Sequence, residues 1–333
     1  MKKGYRMATI VLGFLLLVLT ACQGDEGRIG GKPTGVAPEA EQDTSPAGIT
    51  SERDATVDGD TAYVVTDDMG KAIRFEKVPE TVVSLQPSNT EILFALGVGD
   101  KIVGVTQFDN YPEEAKTIER VSDSVNINAE RIIELNPDVV FAYTVGEKES
   151  IQPLLAAGIP VFVIRSASSF EDVYGDIMQI AEVMGVKEKG EELVKRIKGQ
   201  VERVAEKVKD VPQKSLYLEI SPAPDLYTTG KNTFQHEILT KAGVINAFGD
   251  LEGWVKVSEE EIIRRNPDLI ATTVHYVPDP VQEIKERPGW NQLKAVQNGE
   301  VYLLDEVIMT RPGPRIGEAV ELVAKMAYPE RFK

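Results

Sequence analysis

Short apolar runs recur along the first half of the chain, and the stretches between them carry apolar residues at helical spacing. Residues 81–85, 101–105, 138–143 and 160–164 read as buried strands, and residues 91–97, 129–135 and 150–157 as the helices between them. That alternation predicts a parallel sheet covered by helices on both faces. Ahead of it, residues 63–65 and 72–75 flank Asp67-Asp68-Met69-Gly70-Lys71 and read as a β-hairpin. The same alternation returns later, with strands at 215–220, 268–274 and 300–304 and helices at 235–241, 259–265 and 315–327.

Helical patterning dominates between these two stretches. Ser168-x-x-Glu171 reads as a capping box, and Gly185 interrupts the run. Residues 188–209 then place Leu193, Val194, Ile197, Val201, Val204 and Val208 on one stripe, with charge elsewhere. About twenty helical residues span roughly 30 Å, enough to bridge two lobes. Pro212 ends the helix.

The two alternating stretches resemble each other. Glu130-Arg131-Ile132-Ile133-Glu134-Leu135-Asn136-Pro137-Asp138 matches Glu260-Glu261-Ile262-Ile263-Arg264-Arg265-Asn266-Pro267-Asp268. Glu91-Ile92-Leu93 with Gly97 parallels Glu237-Ile238-Leu239 with Gly243. Helix-Asn-Pro-strand is a common stop device, but two matches in the same order point to two related lobes.

The N-terminus lies outside this pattern. Lys2, Lys3 and Arg6 precede a short apolar stretch that ends in Leu19-Thr20-Ala21-Cys22, the single cysteine of the chain. This is the layout of a lipoprotein signal, in which Cys22 is acylated and becomes the new N-terminus. Residues 23–60 are rich in Gly, Pro, Ser, Thr and acids, and read as a disordered tether. The expected division is a signal peptide over 1–22, a tether over 23–60, an N-terminal lobe over 61–167, a helical segment over 168–210 and a C-terminal lobe over 211–333. A formal net charge of −16 argues against a nucleic-acid partner.

Candidate chemistry is sparse. The chain has no HExxH, GxSxG or GxxxxGK pattern, and its two histidines, His236 and His275, lack metal-ligand spacing. No cofactor is expected. Glu130 and Glu260 fall at the second position of their helices, behind the N-cap candidates Asn128 and Ser258. There they complement the helix dipole, or they form a matched pair that docks on basic residues of a partner with two-fold symmetry. Phe108, Tyr143, Tyr227, Trp254 and the pair His275-Tyr276 fall at or near strand ends. In open α/β sheets the ligand crevice lies there, and flat side chains suit a large planar ligand. Any one of them alone is more often a core or surface packing residue. Arg311, in Thr310-Arg311-Pro312-Gly313-Pro314, is held on a stiff turn, to meet a ligand or to form a salt bridge with a nearby Glu.

Ser84-Leu85-Gln86-Pro87-Ser88-Asn89-Thr90-Glu91, Phe94-Ala95-Leu96-Gly97, Asn128-Ala129-Glu130-Arg131-Ile132 and Tyr227-Thr228-Thr229-Gly230-Lys231 resemble the ABC-importer substrate-binding proteins for vitamin B12, iron siderophores and haem. The resemblance covers about residues 60 to 330 and is nearest to the vitamin-B12 branch. It implies an α/β fold of two Rossmann-like lobes joined by one long rigid helix, with the ligand in the cleft between them and no catalysis. It implies that Glu130 and Glu260 dock on an ABC permease dimer with its ATPase, and that Phe108, Tyr143, Tyr227, Trp254 and Arg311 line the cleft. The B12 branch can carry Trp where this chain has Ser124, and His275-Tyr276 points toward haem iron instead. The expected protein is a monomer on the outer face of the cytoplasmic membrane or in the periplasm, held by lipid alone. Its expected ligand is a corrinoid, with a ferric siderophore or haem as the alternative. A tethered metal-dependent hydrolase is the competing class.

Overall fold

The computed structural model describes residues 62–123, 126–143 and 148–333. Cys22, the signal and tether segments and Ser124 lie outside them. Strands β1 (Tyr63–Thr66) and β2 (Ala72–Phe75) form the antiparallel hairpin, tied at its turn by Asp67 Oδ1, which accepts from the amides of Met69 and Lys71.

The first sheet has five parallel strands in the order β5-β4-β3-β6-β7: β3 (Val82–Ser84), β4 (Ile102–Thr106), β5 (Arg120–Ser122), β6 (Val139–Tyr143) and β7 (Val161–Ile164). Its helices are α1 (Pro87–Ala95), α2 (Ala129–Leu135) and α3 (Lys148–Ala156). Helix α1 begins four residues before the predicted 91–97, because Pro87 at its first turn is pre-set for helical φ. Strand β5 was not predicted.

Helices α4 (Phe170–Val183) and α5 (Lys187–Val208) follow. The capping box is real but sits one residue later than predicted: Ser169 accepts from the Asp172 amide, and Asp172 accepts from the Ser169 amide. The Asp172 side chain is short enough to turn back on the cap, while Glu171 is exposed. Gly185 joins the two helices at φ +65°, and a Cβ there would meet Val78 Cγ2 at 2.7 Å, so a larger residue is excluded twice. The 22 residues of α5 give a rod of about 33 Å.

The second sheet has four parallel strands in the order β10-β8-β12-β13: β8 (Ser215–Glu219), β10 (Ile245–Asn246), β12 (Leu269–Thr272) and β13 (Val301–Leu303). A separate antiparallel ribbon pairs β9 (Tyr227–Thr229) with β11 (Trp254–Lys256). Helices α6 (Phe234–Lys241), α7 (Glu259–Arg265), α8 (Pro280–Glu286), α9 (Lys294–Gln297), α10 (Glu306–Thr310) and α11 (Ile316–Ala327) complete it. The ribbon, β10 and helices α8 to α10 went unpredicted.

The internal repeat is a repeat of structure. Asn136 and Asn266 both end their helices in the left-handed conformation at φ 45°. Two residues on, Asp138 accepts from the amide and hydroxyl of Thr81, and Asp268 does the same with Ser215. Each aspartate pins the start of the neighbouring strand. One apolar core joins the inner faces of both sheets through α4, α5, α6 and α11, with Ile92, Phe141, Ile177, Leu193, Leu218 and Val320 buried in it. Smaller clusters cover the outer faces, around Ile132 and Leu154 in the first unit and Tyr217 and Trp290 in the second.

Candidate functional site

Strands β3 and β6 of the first sheet and β8 and β12 of the second send their carboxyl ends toward one cleft of about 560 Å³. Gln86, Tyr143 and Ser166 line it from the first unit. Trp254, His275, Tyr276 and Glu306 line it from the second, over a floor of Phe234, Gln235 and Thr273. Trp254 and Tyr276 leave 47% and 67% of their surface uncovered, a large exposed aromatic area inside a concavity. His275 Nδ1 lies 3.9 Å from Glu306 Oε2, and its ring meets Tyr276 edge-on at 5.8 Å.

No Lys or Arg is among the described residues that line this cleft. Its polar groups are mainly amides and hydroxyls. Gln235 is 5% exposed and its Oε1 has no hydrogen-bond partner, leaving a buried acceptor at the cleft floor.

The structure thus brings Tyr143, Trp254 and His275 together and places three other candidates elsewhere. Phe108 is half exposed beyond β4 and does not line the cleft. Tyr227 lies on the β9–β11 ribbon opposite Lys256, diagonal to Trp254, and is outside the cleft lining.

Arg311 is engaged by the protein. Its Nη1 donates to Glu91 Oε1 at 3.0 Å, and Nη2 donates to the Phe108 carbonyl and to Asn110 Oδ1, each at 2.8 Å. Arg315 adds two bonds to the same Glu91 carboxylate, at 2.8 and 2.7 Å, and stacks over the Tyr111 ring at 3.9 Å. The predicted salt-bridge alternative is therefore the one realised, but its partner is no neighbour: Glu91 comes from α1, on the other side of the cleft. Residues 310 and 312 on either side of Arg311 still line the cleft, so this buried clamp fixes one of its walls.

Glu130 and Glu260 are exposed in the first turns of α2 and α7 and form no ion pair among the described residues. The Glu260 carboxyl is held below its usual range by its own backbone amide and then by the Ser258 hydroxyl. Asn128 and Ser258 cap the two helices as predicted. Each helix runs back toward the start of the next strand, so both first turns stand at the strand-carboxyl ends where the cleft opens.

Gln86, Ser166, Gln235 and Glu306 were missed. Gln86 carried a usable signal: a polar residue before Pro87, where a strand hands over to a helix. Among the described residues no cluster of three or more His, Cys, Asp or Glu side chains is arranged to hold a metal, and no helix is long and apolar enough to cross a membrane.

Comparison with known proteins agrees with this architecture. The family described as periplasmic binding protein matches residues 82–308. The chain is 42% identical over 277 residues to the ABC transporter substrate-binding lipoprotein YvrC of Bacillus subtilis (strain 168), covering 81% of this chain and 86% of that one. It is 29% identical over 243 residues to the vitamin B12-binding protein of Vibrio parahaemolyticus serotype O3:K6 (strain RIMD 2210633), covering 72% and 86% of the two chains. The crystal structure of a possible iron-binding (periplasmic solute-binding) protein from Staphylococcus epidermidis ATCC 12228 superposes with a TM-score of 0.69 at 34% identity, over 76% of this chain and all of that one. These relatives are substrate-binding proteins, not enzymes. The chain belongs to the periplasmic binding protein family.

Proposed function

We propose that the chain is the extracytoplasmic substrate-binding lipoprotein of an ABC importer, anchored through Cys22, and that its cleft captures a corrinoid. The observation that carries the ligand reading is the cleft's own chemistry: aromatic faces from Tyr143, Trp254 and Tyr276, amide groups from Gln86 and Gln235, and no cationic side chain among the described lining residues. A corrinoid is broad and ringed with carboxamides, which suits such a wall. Haem carries carboxylates and many ferric siderophores are anionic, and both would call for Arg or Lys at the cleft. The vitamin-B12-binding relative supports the same reading.

Haem or a ferric siderophore is the second reading. His275 and Tyr276 favour it, as side chains of the types that ligate haem iron, and so does the iron-binding name of the structural neighbour. Glu130 and Glu260 are assigned to permease docking.

Thermal unfolding of the chain with cobalamin, cobinamide, haem and ferric siderophores separates the readings. A ligand that binds only the folded state raises the melting point, by about 2.7 kcal/mol of added stability at a hundredfold excess over Kd. Cobalamin or cobinamide is expected to give the shift. A shift with haem alone, or with a siderophore alone, overturns the corrinoid assignment.

A further inference from the structure

Asn246, 6% exposed at the end of β10, ties the cleft ribbon to the second sheet. Its Oδ1 accepts from the Phe248 amide at 2.9 Å, and its Nδ2 donates to the Thr229 carbonyl at 2.7 Å. Both partners are main-chain groups with one fixed role each, so the Asn246 amide cannot turn over without losing both bonds. Its Nδ2 also faces His236 Nδ1 at 3.2 Å. His236 Nδ1 must therefore accept, which puts the proton of the neutral ring on Nε2.

This small network touches the cleft from two sides. Thr229 pairs with Trp254 across the ribbon, and Trp254 lines the cleft. His236 follows Phe234 and Gln235 of the cleft floor on α6. The His236 ring packs on the backbone at Gly249, where a Cβ would stand 3.1 Å from its Cε1. A second proton, on Nδ1, would set one N–H against another at Asn246. The ring has little room to retreat past Gly249, so the conflict falls on Asn246 and through it on Thr229.

We propose that His236 is a proton-sensitive latch on the cleft: neutral, it holds Asn246 and with it the Thr229 carbonyl; protonated, it releases them and lets the ribbon that carries Trp254 loosen. The proposal is independent of which ligand the cleft takes.

The surroundings favour the neutral ring. Burial lowers the His236 pKa, and the charge of Glu237 opposes this. Glu237 is itself paired with Lys241 at 3.5 Å. On the segment after β10, Asp250 accepts from Arg265 Nη2 at 2.8 Å, and Glu252 accepts from the Asn232 side-chain amide at 2.8 Å. Lys231, just past β9, is exposed. A histidine whose folded pKa is lowered costs stability as the pH falls from the ordinary value of 6.5 toward the folded one, and the latch opens at the lower end of that interval.

NMR of the chain from about pH 8 to 5 tests this. His275→Gln, at an exposed position, leaves His236 as the single histidine. At neutral pH the imidazole nitrogens should report a proton on Nε2 and a bare Nδ1. On acidification the His236 Cε1–H, the Asn246 side-chain amide and the Trp254 amide and indole resonances should move together, with one midpoint below 6.5. His236→Gln supplies Asn246 with an acceptor that does not titrate, and should abolish the Asn246 and Trp254 shifts. A proton on Nδ1 at neutral pH, a midpoint at or above 6.5, or Trp254 resonances that stay still while His236 titrates each overturns the latch, and none of these readings needs His236→Gln to fold.

Discussion

In the first sheet unit Glu91 lies within α1, two residues after Asn89. In the second, Glu237 lies at the matching place in α6, two residues after Gln235. The backbone setting is shared, down to the glycine that closes each helix at φ +72° and +76°. The surroundings differ. Glu91 is 2% exposed and binds two guanidiniums from the far side of the cleft. Glu237 pairs with Lys241 one turn along its own helix at 3.5 Å, in contact with solvent. The repeat therefore transmits geometry, while chemistry is assigned by what each unit faces. One copy of the glutamate became part of the junction between units, and the other stayed an ordinary helical ion pair.

Breaking the two glutamates in turn is the sharpest test of that difference. Glu91→Ala leaves Arg311 and Arg315 largely buried without their anion and is expected to cost about 3–5 kcal/mol. Glu237→Ala removes a one-turn pair worth about 0.2–0.5 kcal/mol. Urea unfolding measures both. Similar losses would mean that the clamp is no more than a surface ion pair in energetic terms.

The same contrast explains what could be read from the chain. Helix α2 was predicted residue for residue because its cap Asn128, its stop Asn136-Pro137 and its apolar spacing are all local. Strand β5 is three residues long and only its middle residue is strongly apolar, so it gives no periodic signal. The β9–β11 ribbon joins segments whose ends lie 25 residues apart, Thr229 and Trp254, with no tight turn to announce it. The misplaced capping box shows the limit of a local motif when Ser168 and Ser169 stand side by side. At the site, strand-end position found Tyr143, Trp254 and His275. It could not find Gln235, buried on a helix, nor foresee that Arg311 would be consumed by a glutamate 220 positions away.

The two units also contribute unequally to the cleft, and a smaller effect probes this. Most of its exposed aromatic area comes from the second unit, in Trp254 and Tyr276. If the Trp254 ring stacks on the ligand, Trp254→Ala weakens binding by about 1–3 kcal/mol and leaves the fold intact. Tyr227→Ala, on the same ribbon but outside the cleft lining, should leave affinity unchanged. Calorimetric titration with the ligand found by thermal shift distinguishes them. Equal losses would extend the site along the ribbon, and no loss from Trp254→Ala would return that ring to a packing role.

Glu130 and Glu260 are one of the places where the two units remain alike, and their expected effect on the chain itself is small. Both are exposed, both stand in the first turn of a capped helix, and neither has an ion-pair partner among the described residues. Complementing the helix dipole accounts for about 0.3–1 kcal/mol at each position. The acids recur at the same helical position in both units, beside the shared Ile132/Ile262 and Ile133/Ile263, while Arg131 stands against Glu261. A partner with two-fold symmetry would read such a pair, one acid per unit, and would sense the position of one unit relative to the other. Rim charges of this kind act mainly on encounter and orientation. The double replacement Glu130→Ala with Glu260→Ala should therefore leave ligand affinity nearly unchanged, lower stability by no more than the two helix-end contributions, and abolish uptake by the assembled importer. Exposed charges are screened by salt, so docking of the unaltered chain should also weaken as ionic strength rises. Uptake by cells expressing the double variant at matched levels is the measurement, and transport at the wild-type rate would reduce both acids to helix-end electrostatics.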